Sequence, residues 1–527
     1  MVAAVRGELR SILEDVLERP LDQGDEDAPL LELVSSSLLL VEAIRRAHEH
    51  FAVVIPIRQV LDGAATLDTL AAAIAQTQQQ DPVAAPTLKE FAAAVGEHAR
   101  QVHSAPAALL ASALRGAPDA GRLRMAYLER EAQLPTNLVP ARRVRPAADE
   151  PTRTVLVTGG TGYLGAWIVA ELLESTDLDV VCLVRPRHNT RSIDRLHQAA
   201  RTHGVRRSAS GWPDERQARV EVVEGVVILP RLGLGDTDYD RLAQRVDAIV
   251  HAAASVNFIY PYEALRATNV FGVHEIVRFA FAHRIKLVHY LSTAAIWPMG
   301  AGRTFHERDP LQHNEMLKIG YDESKWVAER ALLHAADCGL PLVRYRPGEV
   351  GGDSVTGRSP THHFLIATLR GFLQLGLFPH IDTNLDVAPV DYVARAFVAL
   401  AFGDTRSANV YHLTNPGRCS FSEALDLLRD RGYRFDTAEY AEVRAQLFAS
   451  PEFFGNALFP FQTVLRDSEV ENLQIPEYDT SLARRDLRAW GVSCPPLDGR
   501  LLGTYVEYLQ SVGFLPPPCV PFPALVV

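Results

Sequence analysis

The sequence predicts a doubly wound α/β domain preceded by a small all-α bundle, and three observations carry that prediction. Short apolar, β-branched runs alternate with helix-length segments from Thr154 to about residue 355, the texture of a parallel sheet covered on both faces. The first of these runs opens into a glycine-rich turn followed by an apolar helix. Residues 1 to about 78, by contrast, show helical spacing with no strand-like alternation.

In the bundle, VRGELRSILEDVLE, SLLLVEAIRRAHEHF and TLDTLAAAIAQ read as helices. The polar, proline-bearing QQQDPVAAP then marks a linker. Helical signal resumes in LKEFAAAVGEHARQV and PAALLASALRG, and a second loose stretch, PARRVRPAADEPTR, leads to the first strand. The expected division is 1–78 for the bundle, 79–124 for a linker with helical segments, and 125–527 for the α/β part. Six strands are expected there: TVLVTGG, DVVCLVR, RVEVVEG, DAIVHAA, KLVHYLST and LVRYRPG. A nucleotide-binding core should span about 153–355 plus 386–400, with a substrate subdomain mainly in 356–385 and 415–527.

Composition narrows the function classes. The 527 residues are 47% apolar and 22% charged, with a formal net charge of -11, which fits a globular chain with more than one core. The first eighty residues hold 13 acidic side chains against 6 arginines and no lysine, the opposite sign from a nucleic-acid binder. Cys182, Cys338, Cys419, Cys494 and Cys519 are scattered singly, without CxxC pairs or a histidine cluster, so reduced thiols and no metal site are expected. No stretch reaches the roughly 18 to 20 uninterrupted apolar residues of a membrane span, so no membrane contact is expected and the expected location is the cytoplasm.

The first strand leads into Gly159-Gly160-Thr161-Gly162-Tyr163-Leu164-Gly165. Gly159, Gly162 and Gly165 in this strand-turn-helix context permit a tight turn, close approach of backbone to a pyrophosphate, and close helix packing, the pattern of dinucleotide binding. Arg185 ends the second strand where an NAD enzyme usually places an acidic residue on the ribose. A cation there suits a 2′-phosphate, and hence NADPH; a solvated surface arginine is the alternative. Arg187 and Arg195 are further candidates for that phosphate. Tyr321 and Lys325 stand four apart and share one helix face, so the ammonium would lower the phenol's pKa for proton donation. Only four lysines occur in the chain, Lys89, Lys286, Lys318 and Lys325, which makes that spacing less of an accident. Ser292-Thr293 closes the strand KLVHYLST with hydroxyls able to hold a carbonyl oxygen.

These residues, together with IVHAAASVNFIYPYEALRATNVFGV, YLSTAAIW, YRPGEVGGDSVTGR and APVDYVARA, resemble the extended short-chain dehydrogenase/reductase family. The closer likeness is to the thioester reductase domains that end carboxylic acid reductases and some nonribosomal peptide or polyketide synthases. The resemblance runs over about 125–515, from AQLPTNLVP to YDTSLARRDLRAWGVSCPPLD. It implies a catalytic set of Thr293, Tyr321 and Lys325, a cofactor site including Tyr163, Leu164 and Ala253, and a nicotinamide beside Pro347 and Gly348. It also implies NADPH-dependent release of a carrier-bound acyl or peptidyl thioester as an aldehyde, with onward reduction to the alcohol left open. The chain departs at Gly225-Val226-Val227, where the family usually has Gly-Asp-Leu and its Asp commonly contacts the adenine.

The bundle resembles an acyl or peptidyl carrier protein through SLLLVEAIRRAHEHFAVVIP, which begins at Ser37. The resemblance implies 4′-phosphopantetheine on Ser37, added by a phosphopantetheinyl transferase. Val34 and Ser36 replace the usual Gly and Asp, and an N-cap role for Ser37 is the alternative. An upstream loading or synthase enzyme is expected to charge the arm, either in trans or on a longer parent chain. Rival readings are redox-independent cyclisation of the thioester, which typically follows loss of the tyrosine, an extended short-chain enzyme acting on a sugar nucleotide, which needs no carrier, and a dinucleotide-sensing scaffold.

Overall fold

The computed structural model describes residues 2–17, 21, 43, 46–47, 50–51, 66–79, 120–138, 152–187, 190–205, 214–258, 260–312, 317, 319–361, 363–417, 419–450, 453–461, 465 and 475–518. Ser37 lies outside them, as do Lys89, Lys318 and Cys519.

In the bundle, α1 (Val2–Leu17) lays Val5, Leu9, Leu13 and Val16 along one buried stripe, the spacing expected of an amphipathic helix. Helix α2 (Leu67–Gln79) meets it with Leu67, Leu70, Ala71 and Ile74. At its start the Thr66 N–H donates to Thr69 Oγ1 at 2.8 Å and the Thr69 N–H to Thr66 Oγ1 at 3.3 Å, which satisfies donors that the helix leaves free. An ion pair between Arg6 and Asp68 joins the two helices.

The α/β part is built on seven parallel strands in the order β11-β7-β5-β4-β1-β2-β3. These are β1 (Thr154–Thr158), β2 (Asp179–Val184), β3 (Val220–Glu224), β4 (Ala248–His251), β5 (Leu287–Leu291), β7 (Leu342–Pro347) and β11 (Val410–Leu413). Alternate residues serve opposite faces, so that Val155, Val157, Val180 and Cys182 join one core while Leu156, Val181 and Ile249 join the other. The first core is covered by α4 (Tyr163–Ser175), α5 (Ser192–Thr202) and α11 (Val390–Phe402). The second is covered by α6 (Asp236–Arg245), α8 (Gly272–Phe281) and α9 (Gly320–Asp337). Strand order reverses between β1 and β4, which opens a crevice beyond their carboxyl ends, where ligands bind in such sheets.

Helix α7 (Tyr262–Arg266) continues through a π turn, Ala267–Phe271, into α8. Ahead of the sheet, α3 (Ala120–Glu131) packs Met125 and Leu128 with Tyr262 and Trp326. Its Arg124 donates to both carboxylate oxygens of Glu323 and to Glu263, each at 2.8 Å, tying it to the first turn of α9.

Two short strands, β8 (Glu349–Gly351) and β10 (Val387–Pro389), pair in parallel below the crevice. Another pair, β6 (Thr304–Phe305) and β13 (Glu477–Tyr478), links the loop after β5 to the late chain. A core apart from the sheet's two forms from α10 (Phe364–Leu375), β9 (Leu377–Pro379), α12 (Phe421–Asp430), β12 (Asp436–Ala438), α13 (Tyr440–Ala449) and α15 (Gly499–Ser511). Phe372, Phe378, Leu428, Leu447 and Leu509 are buried there. The seventh strand, β11, comes from a region where no strand was expected. Residues Ala483 and Leu487 of α14 (Ser481–Leu487) also pack into the sheet's core, so part of the stretch expected to serve the substrate subdomain supports the sheet.

Candidate active site

The glycine turn sits at the strand-order reversal. Gly159 adopts φ +78°, and a Cβ there would lie 2.6 Å from the backbone of Ala252 and Ala253, so only glycine lets this turn press against the end of β4. A Cβ on Gly165 would lie 2.0 Å from the Gly159 carbonyl oxygen, so α4 can approach β1 only without a side chain. Gly162, the residue ahead of α4, offers no side-chain cap. The first-turn N–H groups are therefore left for an anion. This cradle fits a dinucleotide pyrophosphate.

The neighbours lock the cradle in place. The Ala253 N–H donates to Thr158 Oγ1 at 3.3 Å, and that hydroxyl pairs with His251 Nδ1 at 2.8 Å. Tyr163 donates its hydroxyl to the Gly351 carbonyl at 2.9 Å, tying the turn to β8. The Leu164 side chain packs with the sheet core. Arg185 is exposed just past β2, on the same edge of the sheet, and Arg195 of α5 donates to its carbonyl.

The reactive set forms where α9 crosses the end of β5. Lys325, only 2% exposed, donates to the Leu291 carbonyl at 2.8 Å, and its Nζ lies 4.3 Å from the Tyr290 ring centroid. Burial pulls its pKa down to about 7, with Glu329 opposing. One turn earlier on the helix, the buried Tyr321 phenol bonds Thr293. Burial pushes the Tyr321 pKa up, Asp322 and Glu349 add to the rise, and only the Thr293 bond opposes it. The lowering expected from Lys325 is not what these groups produce: burial dominates, Thr293 rather than the lysine opposes it, and the lysine's own charge is held weakly. Ser292 and Thr293 also separate in role. Ser292 donates its hydroxyl to Glu329 at 2.5 Å, which leaves Thr293 as the strand-end hydroxyl facing the tyrosine.

Comparison with known proteins resolves the family. Residues 157–397 match the family described as Male sterility protein, and residues 7–74 match the phosphopantetheine attachment site. The terminal R domain of the myxalamid PKS-NRPS pathway is 34% identical, with a TM-score of 0.68, and the match covers 75% of this chain and 100% of that one. The chain belongs to this family of reductase domains, fused to a phosphopantetheine carrier. L-2-aminoadipate reductase of Schizosaccharomyces pombe is 31% identical over 395 residues, covering 70% of this chain. The chain spans 27% of that relative's length. A thiolation-reductase di-domain from an archaeal nonribosomal peptide synthetase, 18% identical with a TM-score of 0.56, covers 97% of this chain and 98% of its own and shares the fold.

Several side chains around the reductase site had no single-residue signal in the sequence. Asn269, in the π turn, accepts from the Ser255 N–H at 2.7 Å and donates to the Ser255 carbonyl and Ser324 Oγ at 3.0 and 2.9 Å. Ser324 in turn donates to the Tyr321 carbonyl at 2.7 Å, so Asn269 ties the loop after β4 to the turn that carries the tyrosine. Its position inside ATNVFGV was the only available cue. Glu329 accepts from Ser292, from Arg344 at 3.0 Å and from Arg346 at 2.5 Å, all buried.

Pro347 ends β7 and Gly348 follows it, at the carboxyl edge of the sheet. A Cβ on Gly348 would lie 1.7 Å from Asp386 Oδ2. The Asp386 carboxylate thus covers this glycine, and its Oδ1 accepts the Asn415 N–H at 2.8 Å. Burial and repulsion from Asp386 push Glu349 up to about 7, and burial pushes Asp386 up to about 7 against the Asn415 N–H. At the departure from the family pattern, the Val227 side chain packs with the sheet core and approaches Gly272 on α8.

Proposed function

We propose that the protein reduces an acyl or peptidyl thioester, carried on its own phosphopantetheine arm at Ser37, and releases the aldehyde. The meeting of Thr293, Tyr321 and Lys325 at the strand edge, beside the glycine cradle, carries this reading. Bound NADPH would supply the hydride. Gly159, Gly162 and Gly165, with the backbone at Tyr163, Leu164 and Ala253, would hold its pyrophosphate, while Arg185 and Arg195 would face its 2′-phosphate. Pro347 and Gly348 would border the nicotinamide.

The chain's own groups handle the oxygen and the proton. Thr293 and Tyr321 orient the thioester carbonyl, and Tyr321 gives its proton to the oxygen as the carbon gains hydride. A phenol whose pKa is raised by burial stays fully protonated before the reaction, which suits a donor. Lys325, held by Leu291, would orient the cofactor ribose, and its ammonium form offsets the negative charge left on Tyr321 as the proton leaves. When the C–S bond breaks, the hydroxyl proton passes back to the Tyr321 phenolate, the departing thiolate takes a proton from water and the aldehyde is freed.

In this reading the carrier takes 1–78, the linker 79–124 and the reductase 125–527. A phosphopantetheinyl transferase would modify the acidic carrier, and a separate enzyme or an upstream synthase module would load it. Among the described residues no helix is long and apolar enough to cross a membrane, and Cys182, Cys338, Cys419 and Cys494 are free thiols. Free thiols support a reducing compartment, the cytoplasm. Loading Ser37 with a model acyl group and adding excess NADPH tests the reaction. One NADPH consumed per acyl group, with aldehyde accumulating by mass spectrometry, is the expected result. Release of acyl product with no cofactor oxidised would instead mark a non-reductive enzyme.

A further inference from the structure

A cavity of about 620 Å³ lies between α9, β7 and the segment 308–312, and three arginines line it: Arg308, Arg330 and Arg344. Arg330 follows Tyr321 by two and a half turns, about 13 Å along the axis at about 1.5 Å per residue, so the cavity is separate from the reducing site. Leu311 and Leu333 supply apolar wall.

The charges here do not balance. Arg344 is 9% exposed and Arg346 0% exposed, and both rest on one fully buried carboxylate, Glu329. Two buried cations against one anion leave net positive charge in a poorly solvated place, which is costly without a further partner. Burial lowers the Arg344 pKa although Glu329 opposes it, and repulsion from Arg346 adds to the fall. Arg330 donates through Nη1 to the Leu311 carbonyl at 3.2 Å, yet its buried Nε has no hydrogen-bond partner. Arg308 is exposed and makes no ion pair among the described residues. The one acidic lining residue, Asp309, is already engaged by the His306 N–H at 3.1 Å and by Arg303 at 3.5 Å.

We infer that this cavity binds the phosphoryl group of a small phosphate monoester, with Arg308, Arg330 and Arg344 as its ligands and Leu311 and Leu333 against its organic part. Forked guanidinium donors match phosphate oxygens in pairs, and a dianion would offset the excess charge that Arg344 shares with Arg346. The site also reaches the reaction centre through bonded groups, because Arg344 holds Glu329 and Glu329 holds Ser292, the neighbour of Thr293.

The test uses the full chain saturated with NADP⁺, so that the cofactor's own phosphate sites are filled, and reads binding rather than turnover. It therefore stands or falls apart from the proposed reaction. Inorganic phosphate and phenyl phosphate are titrated by calorimetry at constant ionic strength, with chloride as control. Saturable binding of one phosphoryl group per chain is expected, tighter for phenyl phosphate, whose ring meets the leucines. Tighter inorganic phosphate would keep the phosphoryl site but overturn the monoester. Arg308→Ala, at an exposed position, and Arg330→Gln should each weaken it about tenfold or more while NADP⁺ affinity stays unchanged. Heats that never saturate, that chloride reproduces, or that are the same in both variants would overturn the site.

Discussion

Lys325 Nζ reaches the Leu291 carbonyl at 2.8 Å, and this bond pins α9 to the last residue of β5. Thr293 lies two residues past that carbonyl and Tyr321 one helical turn before the lysine, so the same contact sets the distance at which the two hydroxyls meet. The cation therefore has a positional role before any electrostatic one.

Tyr321→Phe should slow reduction by about 100-fold or more, the usual range for a positioned proton donor, and leave NADPH affinity nearly intact. Lys325→Ala should impair both, because it removes the helix pin as well as the proposed ribose contact. Single-turnover rates alongside cofactor titrations separate the two. Normal turnover in Tyr321→Phe would assign the donor role elsewhere.

Arg185→Ala should narrow the preference for NADPH over NADH. A charge-assisted contact to phosphate contributes about 1.5 to 3 kcal/mol, or about 10- to 150-fold in affinity. Equal affinities for both cofactors in the unmodified protein would reduce Arg185 to a solvated residue.

Removing the negative charge of Glu329 leaves Arg344 and Arg346 buried without their carboxylate. Breaking such a group costs about 3 to 5 kcal/mol, so Glu329→Gln should lower the midpoint of urea unfolding markedly. An unchanged midpoint would mean that water reaches these arginines.

Glu349 sets an acid-side pH dependence. Its folded pKa is raised to about 7, by burial first and then by Asp386, while the unfolded chain releases that proton at about 4.3. Between those values the folded state binds more protons, so this stability is fully present below the lower pKa and is lost as pH rises through about 7. Glu349→Gln should flatten that decline in thermal unfolding. Parallel curves for both proteins would contradict the assignment.

Intact-mass spectrometry after co-expression with a phosphopantetheinyl transferase should show one added arm, absent in Ser37→Ala. An arm that persists in the variant would move the attachment point to another serine.

Much of the site was legible because its chemistry is local in the chain. The glycine spacing 159, 162 and 165 specifies a turn that only unsubstituted backbone can make, and positions 321 and 325 must share a helix face. Alternating β-branched runs likewise announced six of the seven main-sheet strands. The seventh, Val410–Leu413, is as short as β4, but its run VYHL holds one β-branched residue where β4's AIVH holds two.

What the sequence by itself determined were the fold class, the carrier and reductase order, the cradle, and the tyrosine and lysine. Tertiary structure decided which of the adjacent hydroxyls faces the tyrosine, giving Thr293 to Tyr321 and Ser292 to Glu329. It also decided the charge states, because desolvation depends on what packs over a group rather than on its chain neighbours. That is why Tyr321 rises in pKa despite a lysine one turn away, and why Arg344 and Arg346, two positions apart on one strand, share a carboxylate from a helix that precedes them.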